Sequence, residues 1–440
     1  MTARQAGASA EQAISVTSPA ARLKAIVGGA AGNLVEWYDW FAYSSFTLYF
    51  APHFFPKGDR TAQLLQAAAV FAVGFLARPF GAWLMGLYAD RAGRRTALSL
   101  SVAMMCAGSM AIALMPDYAA IGAAAPVCLV IARLVQGLSL GGEYGASATY
   151  MSEMAGKARR GFWSSFQFMS IILGQLTALG VLIVLQNLMP TDALEAWGWR
   201  IPFAIGGVLA VVVFWIRRSL EESASFKAVQ ASGAKPATTL MLLRDHPRET
   251  LMIFGLTAGG SLAFYAYTTY MQKFLVNTTG FSKATATSIT AAALILYMLL
   301  QPVYGLLSDK VGRKTLLTAG FAAGAVATYP AMSAIAIAAS PLTALLIMMG
   351  LLAILSGYTA INAVVKAELF PAHVRALGVA LPYAAANVVF GGTAEYVALW
   401  FKQAGIESGF YVYVSIMMAI SAVIALRLRN TNVESLILED

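Results

Sequence analysis

Eight ionisable side chains lie inside apolar stretches long enough to cross a lipid bilayer, which takes about 20 residues. They are Glu36, Asp39, Arg78, Arg133, Glu143, Lys273, Lys366 and Glu395. A charge at such a depth is costly unless it is paired or faces a polar cavity. These positions are therefore the candidates for binding an ion or an ionised ligand.

Two carboxylates on the first apolar stretch favour proton binding. Glu36 and Asp39 are three residues apart, so they share one face of a helix. Tyr43 follows four residues later and is a candidate contact for the ligand. Two neighbouring carboxylates repel each other when both are ionised, which favours a proton on one of them. The competing interpretation is that both acids form structural ion pairs with Arg78 or Arg133.

Histidine is the usual side chain for proton exchange near neutral pH, but here it lies outside the apolar stretches. The three histidines are His53, His246 and His373, all in predicted loops. We therefore predict that at least one of Glu36, Asp39 and Glu143 carries a proton.

Arg133 lies on the fourth apolar stretch, with Gln136 and Leu140 on the same face at helical spacing. A guanidinium group keeps its charge at physiological pH, so it needs an anion nearby. That anion is Glu36, Asp39 or the carboxylate of a ligand, and a fixed internal salt bridge is the competing interpretation. If the arginine is shared, protonation of the internal acid releases it for the ligand and couples the two binding events.

A ligand with two carboxylates needs a second cation, and Arg78 near the middle of the second stretch is a candidate. Its side chain cannot easily reach water from there. Arginine can bind a carboxylate through two parallel hydrogen bonds, which suits it to this task. The competing interpretation is that Arg78 braces the helix.

Two lysines lie nearer to the ends of their apolar stretches. Lys273 follows a polar aromatic segment that includes Tyr270 and would suit the wall of a binding site, and Lys366 lies in the tenth stretch. Both are candidate carboxylate ligands, although lysines at such depths often extend their amines to the membrane surface. Glu395 and Lys402 flank the end of the eleventh stretch, where a structural ion pair is expected.

The composition places the chain among membrane proteins. Of 440 residues, 59% are hydrophobic and only 12% are charged, about half the share of a soluble domain. The net charge of +9 comes from Lys and Arg in short clusters between apolar stretches, a pattern typical of membrane topology rather than of a nucleic-acid surface. Cys106 and Cys128 lie in apolar stretches, so neither a disulfide nor a metal site is predicted. The polar first 21 residues lack the apolar core of a secretory signal.

Twelve apolar stretches predict twelve transmembrane helices, because segments of this kind can satisfy their backbone groups within lipid only as helices. The stretches are residues 26–50, 62–88, 96–115, 122–150, 162–187, 200–216, 250–276, 285–307, 315–335, 342–367, 375–399 and 407–427. The segments on one side carry 21 Lys and Arg residues, and those on the other side carry 5. This asymmetry predicts a multi-pass inner-membrane protein with both termini in the cytosol.

A charged motif occurs twice. Residues 86–95 read Gly-Leu-Tyr-Ala-Asp-Arg-Ala-Gly-Arg-Arg, and residues 305–314, 219 positions later, read Gly-Leu-Leu-Ser-Asp-Lys-Val-Gly-Arg-Lys. Opposite charges seven positions apart recur at nearly the same offset: Glu153 with Arg160, and Glu368 with Arg375. Such an internal duplication predicts two similar halves around a central site. The predicted organisation is a cytosolic tail 1–24, an N-terminal six-helix bundle 25–216, a cytosolic linker 217–249, a C-terminal six-helix bundle 250–428 and a cytosolic tail 429–440.

These motifs resemble those of the major facilitator superfamily. The pattern Gly-x-x-x-Asp-Arg-x-Gly-Arg-Arg is similar to the signature loop between its second and third spans, and the copy here follows the eighth span. A finer resemblance is to its metabolite:proton symporters, and among them to carriers of 2-oxoglutarate. It is carried by residues 32–39, 74–81, 136–145, 147–153, 197–202, 269–273, 366–371 and 391–396.

The resemblance implies an all-α membrane fold of twelve helices in two pseudo-repeated six-helix halves. It implies alternating access by a monomer that needs no cofactor and uses the proton gradient to import a small dicarboxylate, with 2-oxoglutarate as the expected substrate. It also implies that charges at the cytosolic span ends form latches between the halves, whereas anchoring of the basic residues to anionic lipid is the competing interpretation. The candidate latch residues are Asp90, Arg94, Glu153, Arg160, Asp309, Arg313, Glu368 and Arg375.

Other substrates of the same subfamily stay open, namely citrate, shikimate or a zwitterionic osmolyte such as proline or betaine. The near balance of cations and anions within the spans does not decide among them. The sequence contains no nucleotide-binding loop, metal-ligand cluster or nucleophile–base motif, which disfavours a membrane enzyme. The duplicated halves disfavour a channel.

Overall fold

The structure, a computed structural model, describes residues 19–92, 94–141, 148, 152, 159–218, 239–429, 431 and 435–437. Glu143 and Glu153 lie outside these residues, so their predicted roles stay predictions. Asp90 and Arg94 lie in described helices, but their side chains are outside the description. Most of the predicted linker 217–249 is also outside it.

Six long helices form the N-terminal half. They are α1 (Pro19–Phe54), α2 (Arg60–Ala92), α3 (Arg94–Leu114), α4 (Ala124–Leu140), α5 (Arg160–Leu188) and α6 (Ile201–Arg218). Short helices at Tyr118–Ile121 and Thr191–Ala196, and a 3-10 turn at Gly198–Arg200, connect them at one end.

Six further membrane segments form the C-terminal half, and three of them are not regular α-helices throughout. α7 consists of Pro247–Phe264, a π-helical segment Tyr265–Tyr270 and Met271–Asn277; α8 is Lys283–Val311; α9 is Arg313–Ala336; α10 consists of Pro341–Thr359 and Asn362–Glu368; α11 consists of Ala372–Ala386, a π-helical segment Asn387–Gly391 and Ala394–Gln403; and α12 is Ser408–Leu426. A short helix, Thr239–Asp245, precedes α7. The described chain thus contains the twelve predicted spans as α1–α12.

The distribution of side chains is that of a membrane protein. Eight of the described helices are long and apolar enough to cross a membrane, judged by length and composition. Large apolar side chains such as Phe80, Trp83 and Ile337 are exposed on the outside, whereas the charged Asp39 and Arg133 are buried inside. Extensive apolar surface of this kind is suited to lipid.

Glycines allow the two halves to touch along two helix crossings. The backbones of α5 and α8 meet at Gly161 and Gly305, where a Cβ atom on either residue would overlap the other helix. Gly392 of α11 lies in the same way against the ring of Phe75 in α2. Small residues at helix crossings are the usual means of close packing within membranes.

The halves are in contact at both ends of the bundle. We use the name latch end for the end at which α5 begins and α8 ends, and the name outer end for the other one. At the outer end, Lys283 of α8 pairs with Glu195 at 2.6 Å, and the Gln186 amide donates to the Thr287 hydroxyl at 3.3 Å. The space between the halves is therefore enclosed, as in an occluded conformation.

Candidate functional site

Two narrow cavities lie between the halves, about midway along the helices. Three residues border both of them: Trp37 of α1, and Tyr383 and Asn387 of α11. The second cavity is also lined by Glu36 and Arg78. Because both halves contribute walls, any ligand held here would contact each of them.

Arg78 presents an incompletely bonded cation at the second cavity. Its guanidinium carbon lies 4.1 Å from the ring centroid of Trp40 and 4.1 Å from that of Phe75. Its Nε and Nη2 atoms are buried and have no hydrogen-bond partner among the described residues. Aromatic faces stabilise the charge without using its N–H groups, which leaves them for a carboxylate.

Asp39 and Arg133 are joined through a buried polar bridge rather than in direct contact. The Gln136 side chain donates from Nε2 to Asp39 Oδ2 at 2.6 Å and accepts from Arg133 Nη1 at 2.9 Å. The Ser109 hydroxyl donates to the other carboxylate oxygen of Asp39. A proton on Asp39 would remove one of the two acceptors that hold this bridge in place.

Aromatic rings also surround Arg133. Its guanidinium carbon lies 4.0 Å from the ring centroid of Trp40 and 4.5 Å from that of Tyr43. The Tyr43 hydroxyl donates to the Ala67 carbonyl at 2.9 Å, which fixes the ring in place. Tyr43, predicted as a substrate contact, therefore supports the arginine.

The two neighbouring acids of α1 have different surroundings. Glu36 lines the second cavity together with Arg78, whereas Asp39 turns towards Ser109 of α3 and Gln136 of α4. Glu36 is thus placed at the cavity, and Asp39 at the polar bridge to the buried Arg133.

Lys273 contacts an acid at the outer end instead of lining a cavity. Its amine lies 3.0 Å from Glu395 Oε2 and donates to the Ser44 hydroxyl of the other half at 2.6 Å. The predicted pair of Glu395 with Lys402 is wrong, because Lys402 lies 3.2 Å from Glu407. The depth of Lys273 decides this pairing, since its amine is fully buried and cannot reach the surface.

The remaining predicted ligands differ in their distance from the cavities. The Tyr270 hydroxyl donates to Glu407 at 3.3 Å near the outer end, and Tyr270 does not border either cavity. Lys366 Nζ lies 4.1 Å from the ring centroid of Tyr383, which lines both cavities. The ring of Tyr383 thus lies between Lys366 and the cavities.

The predicted latch residues whose side chains the structure describes lie at the latch end. Glu368 lies 3.6 Å from Arg160 of the other half and 3.1 Å from Arg313, and Arg313 lies 3.5 Å from Asp309. Glu368 thus forms an ion pair across the halves with Arg160. Arg375 donates to the Phe370 carbonyl at 3.2 Å.

Asp309 adds a contact to the start of α5. Its two oxygens accept from the backbone N–H groups of Gly161 at 2.8 Å and Phe162 at 3.1 Å. Free N–H groups and the positive end of the helix dipole favour a carboxylate at this position. The aspartate of the second signature motif therefore binds the first half directly.

Several residues of the site had no clear signal in the sequence. Ser44 and Ser109 are ordinary serines in apolar helices, and their partners follow only from helix packing. Trp40 lies next to Asp39, but its position between two arginines depends on α2 and α4. Tyr383 and Asn387 could have been noticed, because they are polar and four residues apart on one helix face. Among the described residues, no three metal-ligating side chains lie close enough together to hold an ion.

Comparison with known sequences gives consistent matches along the chain. The family model described as "Sugar (and other) transporter" matches residues 25–240 and 221–438. The Alpha-ketoglutarate permease of Escherichia coli (strain K12) is 52% identical over 93% of this chain and 94% of its own. The Citrate-proton symporter of Klebsiella pneumoniae is 34% identical over 88% and 87%, and the Proline/betaine transporter of Escherichia coli (strain K12) is 31% identical over 86% and 78%.

Solved structures of the xylose transporter XylE from E. coli show the same fold. The proton:xylose symporter bound to 6-bromo-6-deoxy-D-glucose aligns with a TM-score of 0.75 at 19% identity, over 94% of this chain and 98% of its own. A partially occluded inward-open form aligns with a TM-score of 0.73. The predicted all-α fold of twelve spans in the major facilitator arrangement is confirmed.

Proposed function

The chain belongs to the sugar (and other) transporter family, and from this premise we propose that it imports 2-oxoglutarate with protons across the inner membrane. The observation that carries the proposal is the buried guanidinium group of Arg78, which borders the cavity with two nitrogens free of hydrogen-bond partners among the described residues. The names of the relatives support both the substrate and the coupling to protons, since they include an alpha-ketoglutarate permease and citrate–proton symporters. The transporter acts as a monomer without a cofactor, with both termini and the latch end in the cytosol.

The substrate binds between Arg78 and the part of the cavity next to Tyr383. Arg78 receives one carboxylate through its unused N–H groups. Lys366, whose amine lies over the ring of Tyr383, attracts the second carboxylate from the other half. A dianion that contacts both halves stabilises the conformation in which they are close together, and an occluded intermediate requires such stabilisation.

The proton binds at Asp39, and Gln136 carries the effect to Arg133. With Asp39 ionised, the bridge holds the arginine in the N-terminal half. With Asp39 protonated, the charge of Arg133 is no longer balanced, and this charge, which shares the ring of Trp40 with Arg78, favours a dianion in the cavity. Glu36 lies beside Arg78 and would compete with the substrate unless it too binds a proton.

Alternating access follows from the contacts at the two ends. Glu368 and Asp309 hold the latch end closed through Arg160 and the start of α5. Opening this end breaks these bonds, while the contacts at the outer end keep that side closed. Charge pairs at such an interface shift a two-state equilibrium by a few kcal/mol, which is enough to select one state.

Citrate is the second candidate substrate, because relatives with 34% and 32% identity are citrate–proton symporters. The pair of cations at Arg78 and Lys366 matches two carboxylates rather than three. Zwitterionic osmolytes, named for other relatives, carry a single carboxylate, which matches only one of these cations.

Uptake of labelled 2-oxoglutarate into proteoliposomes tests the proposal directly. An inward proton gradient should raise accumulation at least tenfold over that without a gradient, because the proton must move with the acid. Unlabelled 2-oxoglutarate should compete best, citrate less well, and proline not at all. Uptake that does not depend on the gradient would refute symport. Stronger inhibition by citrate than by 2-oxoglutarate would identify citrate as the preferred substrate.

Arg78→Lys should raise the apparent KM for 2-oxoglutarate by about ten- to a hundredfold. Lysine cannot form the two parallel bonds, and a hydrogen bond to a charged group contributes about 1.5–3 kcal/mol. The matched control is Arg200→Lys, which alters a guanidinium group that lies 4.2 Å from the Trp199 ring centroid at the outer end, away from the cavities. An unchanged KM in Arg78→Lys would argue against direct binding.

Asp39→Asn should abolish proton-driven accumulation and retain exchange of internal for external 2-oxoglutarate. The amide keeps the shape of the acid but cannot release a proton, so the reset step without substrate fails. Counterflow and gradient-driven uptake in the same vesicles measure the two activities. Asp245→Asn, at an exposed carboxylate before α7, serves as the control. Normal accumulation by Asp39→Asn would show that the transported proton binds at another residue.

A further inference from the structure

The pair of Lys273 and Glu395 forms a buried ionic contact outside the cavities. Both side chains are almost completely buried, at 0% and 3% exposure. Lys273 follows Tyr265 by eight residues on α7, and Glu395 follows Asn387 by eight residues on α11. At about 1.5 Å per residue, the pair lies about 12 Å from these cavity-lining residues towards the outer end.

Ser44 connects this pair to the other half. Its hydroxyl accepts from Lys273 at 2.6 Å and donates to Glu395 Oε2 at 3.5 Å. Separation of the halves at the outer end would break both bonds. A dianion that enters from outside would then meet Lys273 before it reaches Arg78.

The charges of the pair can be satisfied in two ways. While Glu395 is ionised, it balances Lys273, and Ser44 completes the contact that closes the outer end. Once Glu395 takes a proton, the buried ammonium group has no charge partner, which is unfavourable until an anion or water arrives. The other titratable side chains within electrostatic range of Glu395 are Tyr43 of α1 and Tyr270 of α7.

We propose that Glu395 is a second proton-binding acid, which closes the outer end while it holds Lys273 and releases Lys273 to an incoming substrate carboxylate when it is protonated. The inference rests on the proposed function for its substrate. Lys273 is then a transient carboxylate site on the path to the cavity. Each half thus carries one acid that controls one cation, with Asp39 and Arg133 as the other pair.

Labelling of a cysteine at Thr287 tests the gate without any substrate. Thr287 is fully buried at the contact between the halves at the outer end. The labelling rate depends on the thiolate fraction, so each rate is divided by that of a cysteine at the exposed Ala284 at the same pH. In a background with Cys106 and Cys128 replaced by serine, this ratio for Thr287→Cys and an impermeant maleimide added outside should be at least fivefold higher at pH 5.5 than at pH 8. Glu395→Gln should give the high ratio at both pH values, because the amide resembles the protonated acid.

Control variants separate this role from a structural one. Glu395→Asp should keep the pH dependence. So should Glu195→Gln, which breaks the half-exposed pair with Lys283 at the same end. If Glu395→Gln labels with the same pH dependence as the parent, the inference is wrong.

Transport measurements provide the second readout. With 2-oxoglutarate at an outer pH of 8, Glu395→Gln should lower the apparent KM severalfold and reduce gradient-driven accumulation, whereas loss of a structural pair would raise the KM. If the parent protein does not carry 2-oxoglutarate, the proposed function fails, and the labelling result still decides whether Glu395 controls the outer end.

A separate set of contacts concerns residues 435–437 at the latch end. The backbone N–H of Leu436 donates to the Glu368 carbonyl at 3.1 Å, and its carbonyl accepts from Arg375 at 2.8 Å. The Ser435 hydroxyl accepts from Arg160 at 3.3 Å. Residues 435–436 thus bind latch residues of both halves at once.

Ile437 completes this contact with a buried apolar side chain. It is 4% exposed and belongs to a small cluster formed with both halves: Ala148, Ala363, Ala367 and Val379. We infer that residues 435–437 act as a strap, which must detach from the latch before the cytosolic side can open.

Ile437→Ser tests the strap. Labelling of Ser308→Cys, buried at the latch end, from the cytosolic face of inside-out vesicles should become at least fivefold faster in this variant and in a chain that ends at Arg429. Leu436→Ser is the matched control, because it keeps the backbone bonds and changes only a half-buried side chain. Parental labelling rates in both the Ile437→Ser and the shortened chain would refute the strap.

Discussion

Trp40 holds two arginines inside the membrane, and the arrangement of the site depends on this contact. The guanidinium carbons of Arg78 and Arg133 lie 4.1 and 4.0 Å from its ring centroid. An aromatic face stabilises a cation without neutralising it, whereas a direct carboxylate partner would cancel its charge. Two cations are thus kept in the interior, each with two nitrogens that have no hydrogen-bond partner in the part of the chain that the structure describes. A dianion that enters this site can therefore form ion pairs with cations that fixed salt bridges would already have neutralised.

The contacts between the halves fall at the two ends of the bundle, on either side of these cations. At the latch end they are backbone-to-carboxylate bonds and an ion pair across the halves. At the outer end they are hydrogen bonds of amide and hydroxyl groups and contacts of lysine side chains. One of these lysines, Lys273, is buried together with the carboxylate of Glu395. Because both sets are polar and local, water can replace each of them when its end opens. The crossing of α2 and α11 at Phe75 and Gly392 lies between them and would then act as the pivot.

The sequence predicted the fold well, because apolar length, charge asymmetry and the repeated motif are properties of the chain itself. It also singled out Asp39, Gln136 and Arg133, which the structure brings together, and helical spacing placed the latter two on one face of α4. It did not determine most partners that come from different helices. Glu395 was expected to pair with Lys402, seven residues or nearly two helical turns later, yet Lys273 of α7 takes that place because it is deeper. Likewise Ser44, Ser109 and Trp40 acquire their roles only through packing, which spacing within one helix does not encode.

The helices that are interrupted at the depth of the cavity belong to the C-terminal half. α7 and α11 contain π-helical segments at the depth of the cavity, and α10 is interrupted there. Their residues line the first cavity from the C-terminal half, whereas α1 and α5 line it as regular helices. Interrupted helices can change their hydrogen bonding locally at small cost and often mark binding sites. Asp39, Arg78 and Arg133 of the N-terminal half therefore lie on continuous helices, whereas Lys366 and the residues that line the cavity from the C-terminal half lie on interrupted ones.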